Sequence, residues 1–249
     1  MKMRLALTAL AAISTAAFGA LPAQAAVKTV VLVHGAFADG SGFKAVSNIL
    51  THHGYTVRVV QEPETSLADD AAATKRVLDV VGPCVLVGHS YGGMVISEAG
   101  DVPNVKALVY LAAFAPEVGE SALALSTKTP GAAKSVEPAG PGYFQVNIAA
   151  FPADFAADVP KAEAQFMAIS QVPVSAASFG GNATVAAWKD KPSYYVVAKN
   201  DRMINPDLER FMSKRANATT IELPSSHAVF LSHAKEIAAL IEKAAEAAK

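Results

Sequence analysis

Apolar runs of strand length alternate along this chain with segments of helical period. That order predicts βαβ units and a mostly parallel central sheet, buried on both faces and flanked by helices. Residues 27–33 form the first run. Phe43, Val46, Ile49 and Leu50 then recur at helical spacing until Gly54 ends the helix. A second strand is expected over 55–60. Ser66-Leu67-Ala68-Asp69 resembles a capping box with Asp in the place of Glu. Val77, Leu78 and Val81 give the helix after it a buried stripe, closed by Gly82-Pro83. Further strands are expected over 84–87 and 105–113.

Beyond Pro116 the alternation lapses. Residues 117–190 are rich in Ala, Pro and Gly, and no run among them reads as a central strand. Short helices interrupted by Pro152 and Pro160 are expected over 151–166. An insertion of this length inside an α/β domain predicts a lid or binding cap. Phe144, Phe151, Phe155, Phe166, Phe179 and Trp188 call for burial and speak against a disordered linker. The sheet resumes at Ser193–Ala198. A helix capped by Asn205-Pro206, a last strand at Thr219–Leu223 and a closing amphipathic helix over 231–248, with His233 inside it, complete the pattern.

The first twenty-five residues stand apart from this scheme. Lys2 and Arg4 precede a largely apolar stretch from Leu5 to Leu21, and Pro22-Ala23-Gln24-Ala25 ends in small residues. The pattern predicts a secretory signal peptide cut after Ala25, a bacterial periplasmic or secreted location, and no stable membrane insertion afterwards. Residues 26–249 then form one α/β domain. The formal net charge is −1, which gives no reason to expect nucleic acid or an anionic membrane as partner. Cys84 is the single cysteine, so no intrachain disulfide can form, and its place at the head of a strand predicts a packing role.

The chemistry concentrates where Cys84-Val85-Leu86-Val87 runs into Gly88-His89-Ser90-Tyr91-Gly92-Gly93. A strand passing through G-x-S-x-G directly into a helix makes a strained turn that raises the serine above the sheet edge, making Ser90 a candidate nucleophile. A hydroxyl at its ordinary pKa needs a base. Of the six histidines, His227 sits in the loop after the last strand, at the carboxyl edge of the sheet where ligands of open α/β folds bind. His52 and His53 are expected in solvent, His34 is expected to fix its own loop through hydrogen bonds, and His89 to point away from its neighbour Ser90. Asp201, after the strand Ser193–Ala198, is the candidate acid orienting His227, with Glu117 as the rival. Asp207 and Glu209 are expected to favour the positive end of the Asn205 helix. The backbone N–H groups of Ala36, in His34-Gly35-Ala36-Phe37, and of Tyr91 are the expected oxyanion donors. No pair of His or Cys has metal-ligand spacing.

With Val31-Leu32-Val33-His34-Gly35-Ala36, Val87-Gly88-His89-Ser90-Tyr91-Gly92-Gly93, Asp201 and Ser226-His227 in this order, the chain resembles the α/β-hydrolases across 26–249. It is most similar to the small branch that holds plant methylesterases and hydroxynitrile lyases. The resemblance implies a Ser-His-Asp mechanism, no cofactor and a helical cap. The lyases carry a lysine directly after the histidine; Ala228 stands there in this chain, which argues against cyanohydrin chemistry. The expectation is a serine hydrolase cleaving a small carboxylic ester through an acyl-enzyme, its partner a small-molecule ester. The alternatives are a perhydrolase or acyl transferase on the same residues, and a small-ligand binding protein without catalysis.

Overall fold

The structure, a computed structural model, describes residues 27–248; the expected signal peptide lies outside the described residues. In chain order the strands are β1 (Thr29–Val33), β2 (Thr56–Val60), β3 (Cys84–His89), β4 (Val105–Leu111), β5 (Val136–Pro138), β6 (Tyr143–Val146), β7 (Val174–Ser175), β8 (Ser193–Ala198) and β9 (Thr219–Leu223). The helices are α1 (Lys44–His52), α2 (Leu67–Leu78), α3 (Gly92–Ala99), α4 (Ala122–Lys128), α5 (Phe151–Asp154), α6 (Lys161–Ser170), α7 (Ala176–Gly180), α8 (Pro206–Arg215), α9 (Val229–Ser232) and α10 (Ala234–Ala247).

Six strands pair in parallel in the order β2-β1-β3-β4-β8-β9. Burial follows the order: every residue of β3 and β8 is buried, whereas the edge strands β2 and β9 are largely exposed. Helices cover both faces, because strands this apolar leave no face for water. From β1 the chain moves outward to β2 and then returns to the other side of β1 as β3. The β1/β3 boundary is therefore the switch point at which α/β sheets open a crevice at their carboxyl ends. The loop after β1 carries Gly35 and Ala36, and the turn after β3 carries Ser90.

Local signals place several helices where the sequence predicts them. The Ser66 side chain accepts from the Asp69 N–H and Asn205 from the Asp207 N–H, capping α2 and α8. Cys84 is buried, and burial raises its thiol to about 12, as a packing residue requires.

Two expectations need correction. Segment 117–190 is not purely helical: β5, β6 and β7 form a small antiparallel sheet. Gly140 and Gly142, at φ 116° and 76°, take backbone angles a side chain would resist and so close the turn between β5 and β6. The closing helix is two pieces, broken at His233 (φ −126°, ψ 38°). Ser232 holds the Ser225 hydroxyl at 2.9 Å, tying α9 to the loop before His227, and the chain then redirects so that α10 packs on α1 and β4.

Candidate active site

Ser90 has φ 54°, an angle L-residues rarely hold. The turn presses against the β1 loop, and only glycine fits two residues on: a Cβ on Gly92 would run into the carbonyl oxygen of His34. The turn aims the Ser90 hydroxyl at the loop after β9. His227 Nε2 accepts from Ser90 Oγ at 2.8 Å, and His227 Nδ1–H donates to Asp201 Oδ2 at 2.5 Å. The second Asp201 oxygen accepts from the Met203 and Ile204 N–H groups at 2.7 and 2.9 Å. All three side chains are buried. Residues 111 and 26 positions apart are thus joined into one hydrogen-bonded line, and its direction leaves His227 Nε2 free to act as a base toward Ser90.

The rival acid is elsewhere. Glu117 pairs with Lys189 at 2.6 Å, and this partner first, then the Val118 N–H, holds its carboxyl below the usual range. Glu209 is not a solvated helix-end charge but fully buried. Its carboxylate accepts from the Ala198 N–H at 2.9 Å, and burial, then the Asp201 charge, pushes it well above the ordinary range. Glu209 thus packs its buried carboxyl beneath the strand end that carries Asp201.

Two supports of His227 have no signal in a single sequence. His89, the neighbour of Ser90, donates from Nε2 to the His227 carbonyl at 3.0 Å, and its ring lies 4.7 Å from that of His227. Burial keeps it neutral by lowering its pKa well below the ordinary value. The inserted segment supplies the other support. The Phe155 ring meets His227 edge-on at 4.8 Å, the Phe155 carbonyl accepts from the Ala228 N–H, and Asp158 accepts from the Ser226 hydroxyl and N–H.

Ser90, His227 and Ala36 open onto a cavity of about 410 Å³. Its walls come from Phe37, Phe114, Phe179 and Met203, with Val136, Phe144 and Val174 of the small antiparallel sheet; Lys134 is the one charged residue lining it. Of the insertion's aromatic residues, Phe151, Phe155 and Trp188 are buried as expected. Phe144 instead lines this cavity, and Phe166 is 63% exposed on the outer face of α6.

Behind the β1 loop lies a second group of titratable residues. Ligand atoms of His34, Glu62 and Glu64 come within 4.8 Å of one another, close enough for a metal ion. His34 does not fit that role. Its Nε2 accepts from the Glu62 N–H at 3.0 Å, which puts the proton on Nδ1, 3.6 Å from Glu64, and leaves the ring no lone pair to offer. The carboxyl oxygens of Glu62 and Glu64 find no hydrogen-bond partner among the described residues. Burial, then the Asp70 charge, raises Glu62 well above the ordinary range and Glu64 to about 9. Glu64 is therefore protonated at neutral pH.

A stability prediction follows from the sign of these shifts. The folded chain keeps protons that the unfolded chain releases above the usual carboxylate pKa, so stability falls as pH rises toward about 9. Each such group contributes a slope of up to about 1.4 kcal/mol per pH unit in that window. Urea unfolding at pH 7 and 8.5 should show a shallower loss for Glu64→Gln than for the unsubstituted protein. Equal slopes would contradict protonated burial.

The fold and the site define a hydrolase of the α/β class. A model described as the alpha/beta hydrolase family matches residues 30–240, and the chain belongs to that family. It is 36% identical over 115 residues to a carbendazim hydrolyzing esterase of a Nocardioides species. That match covers 39% of this chain and about half, 47%, of the relative. It is 27% identical over 253 residues to a pyrethroid hydrolase of Sphingobium wenxiniae, covering 89% of each. Among solved structures, the pyrethroid hydrolase PytH superposes with a TM-score of 0.76 at 22% identity, covering 89% of this chain and 98% of that one. An extracellular α/β-hydrolase from a Paenibacillus species, described as sharing structural and functional homology with tobacco salicylic acid binding protein 2, gives 0.73 at 20% identity, covering 87% and 98%. These two likenesses concern the fold.

Proposed function

We propose that the protein is an exported serine esterase that cleaves small, uncharged carboxylic esters. The observation that carries the reading is the buried line Ser90–His227–Asp201, with separations of 2.8 and 2.5 Å, at the floor of the apolar cavity. Ser90 Oγ attacks the ester carbonyl carbon as its proton passes to His227 Nε2. Asp201 holds the ring in the tautomer that can take it and favours the imidazolium that forms. The backbone N–H groups of Ala36 and Tyr91 stabilise the oxyanion. The tetrahedral intermediate collapses, and His227 returns the proton to the leaving alkoxide. Water, deprotonated by the same nitrogen, then frees the acid from the acyl-Ser90 ester.

The cavity supports the substrate class. About 410 Å³ lies toward the small end of ligand sites, and walls of Phe, Val and Met reward apolar groups. Relatives named for hydrolysing carbendazim and pyrethroids support ester cleavage. Residues 1–25, with their basic start, apolar stretch and small-residue end, support export to the periplasm or the medium.

A panel of p-nitrophenyl and naphthyl esters of graded acyl length tests the reading. Turnover should rise with apolar size until the cavity is filled and then fall. Saturable binding of these esters without product release would overturn the reading in favour of a receptor. Faster transfer to peroxide or an alcohol than to water would overturn it in favour of acyl transfer.

A further inference from the structure

Asp70 is fully buried on α2, outside the Ser90–His227–Asp201 line, yet it accepts three hydrogen bonds. Tyr91 Oη donates to its Oδ2 at 2.7 Å, Ser178 Oγ of α7 donates to the same oxygen at 3.2 Å, and the Glu64 N–H donates to Oδ1 at 2.7 Å. Each donor belongs to a different part of the site. Tyr91 follows Ser90 and carries one expected oxyanion donor on its backbone. Ser178 belongs to the inserted segment that walls the cavity.

The third donor leads back to the β1 loop. Glu64 lies two residues after Glu62, whose N–H binds His34 at 3.0 Å and so holds the start of the loop bearing Ala36. The same stretch grips the inserted segment once more: the Ser175 N–H donates to the Glu64 carbonyl at 3.0 Å and Ser175 Oγ to the Thr65 carbonyl at 2.8 Å. Tyr91 also stacks on Phe179, a cavity wall, at 6.2 Å between ring centres.

We infer that Asp70 is a positioning residue for the oxyanion site. Through the Tyr91 hydroxyl it fixes the orientation of the Tyr91 peptide, and through Ser178 it couples that orientation to the seating of residues 174–180 over the cavity. The inference rests on the esterase reading above. Tyr91 has a short tether between its ring and the N–H beside the nucleophile, so a ring anchored at its far end cannot pivot without moving the peptide. Losing one oxyanion donor outright lowers turnover by roughly 10²–10³-fold, so a donor left in place but loosened should lower it less, by about tenfold to thirtyfold.

The test compares Tyr91→Phe, Asp70→Asn and the double variant, each per active site titrated with a phosphonate. Tyr91→Phe removes one oxygen and should keep the fold. It should lower kcat about tenfold with KM nearly unchanged, and weaken a trifluoromethyl ketone, whose adduct carries the oxyanion, by the same factor. Binding of an unreactive ether analogue of the ester should not change. Asp70→Asn should do the same, and the double variant should be no worse than the more affected single one. Full kcat per titrated site in Tyr91→Phe would overturn the inference, as would equal weakening of ketone and ether. If the unsubstituted protein is inert on every ester, or Ser90→Ala retains turnover, the esterase reading fails instead.

Discussion

Ser90→Ala should lower kcat/KM for the best ester by at least about 10⁴-fold while leaving the fold intact. In the proposed mechanism the loss follows from the hydroxyl being the atom that bonds to the acyl carbon. The residual rate comes from binding and the oxyanion donors acting on water. The fold should survive, because the Ser90 hydroxyl has its one side-chain partner in His227 and alanine meets the same backbone angle of 54° that serine already bears. His227→Ala should cost a similar factor, and Ser90→Ala/His227→Ala no more than either alone, since nucleophile and base act as one unit. Steady-state kinetics with circular dichroism on the three purified proteins checks both halves. Independent, multiplying losses would mean that the two side chains do not share a step.

Asp201→Asn carries the second large effect, and it isolates the proton geometry. One amide atom must remain oxygen to accept the Met203 and Ile204 N–H groups at 2.7 and 2.9 Å. The NH₂ then faces His227 Nδ1, where Oδ2 stood at 2.5 Å, and donates to it. The ring answers by carrying its proton on Nε2, toward Ser90, and can no longer take one. Turnover near neutral pH should fall by about 10⁴-fold with KM for the ester little altered, as expected for a wrong tautomer in an intact site. A variant keeping more than about a tenth of kcat would show that Asp201 does not set the tautomer.

Much of the architecture was legible because it depends on local signals. β8 and β9 begin and end where their apolar runs do, and Ser66 and Asn205 cap the helices they announce. The order Ser90, Asp201, His227 could be read because each follows a strand at the same sheet edge. The features that escaped are those decided by partners distant in sequence. Val136 to Val146 looks like a Pro- and Gly-rich loop until β7, about thirty residues on, adds the strand that makes it a sheet. Glu209 reads as a helix-end charge because nothing in α8 reveals that Ala198 and Asp201 lie beneath it. His233 sits inside an unbroken helical period, and the chain breaks there beside a contact, Ser232 with Ser225, that the period does not show. Phe166 shows the opposite error: an aromatic residue expected inside lies on the surface, because a short helix at the edge of the insertion has more apolar residues than neighbours to cover them.

The most direct measurement of the central claim is where a fluorophosphonate bonds. Incubation with a slight excess, followed by peptide mass mapping, should place one adduct per chain on Ser90. Labelling should be absent in Ser90→Ala and slowed at least a hundredfold in His227→Ala. An adduct on another residue, or full ester turnover by a protein that takes no label, would contradict the account.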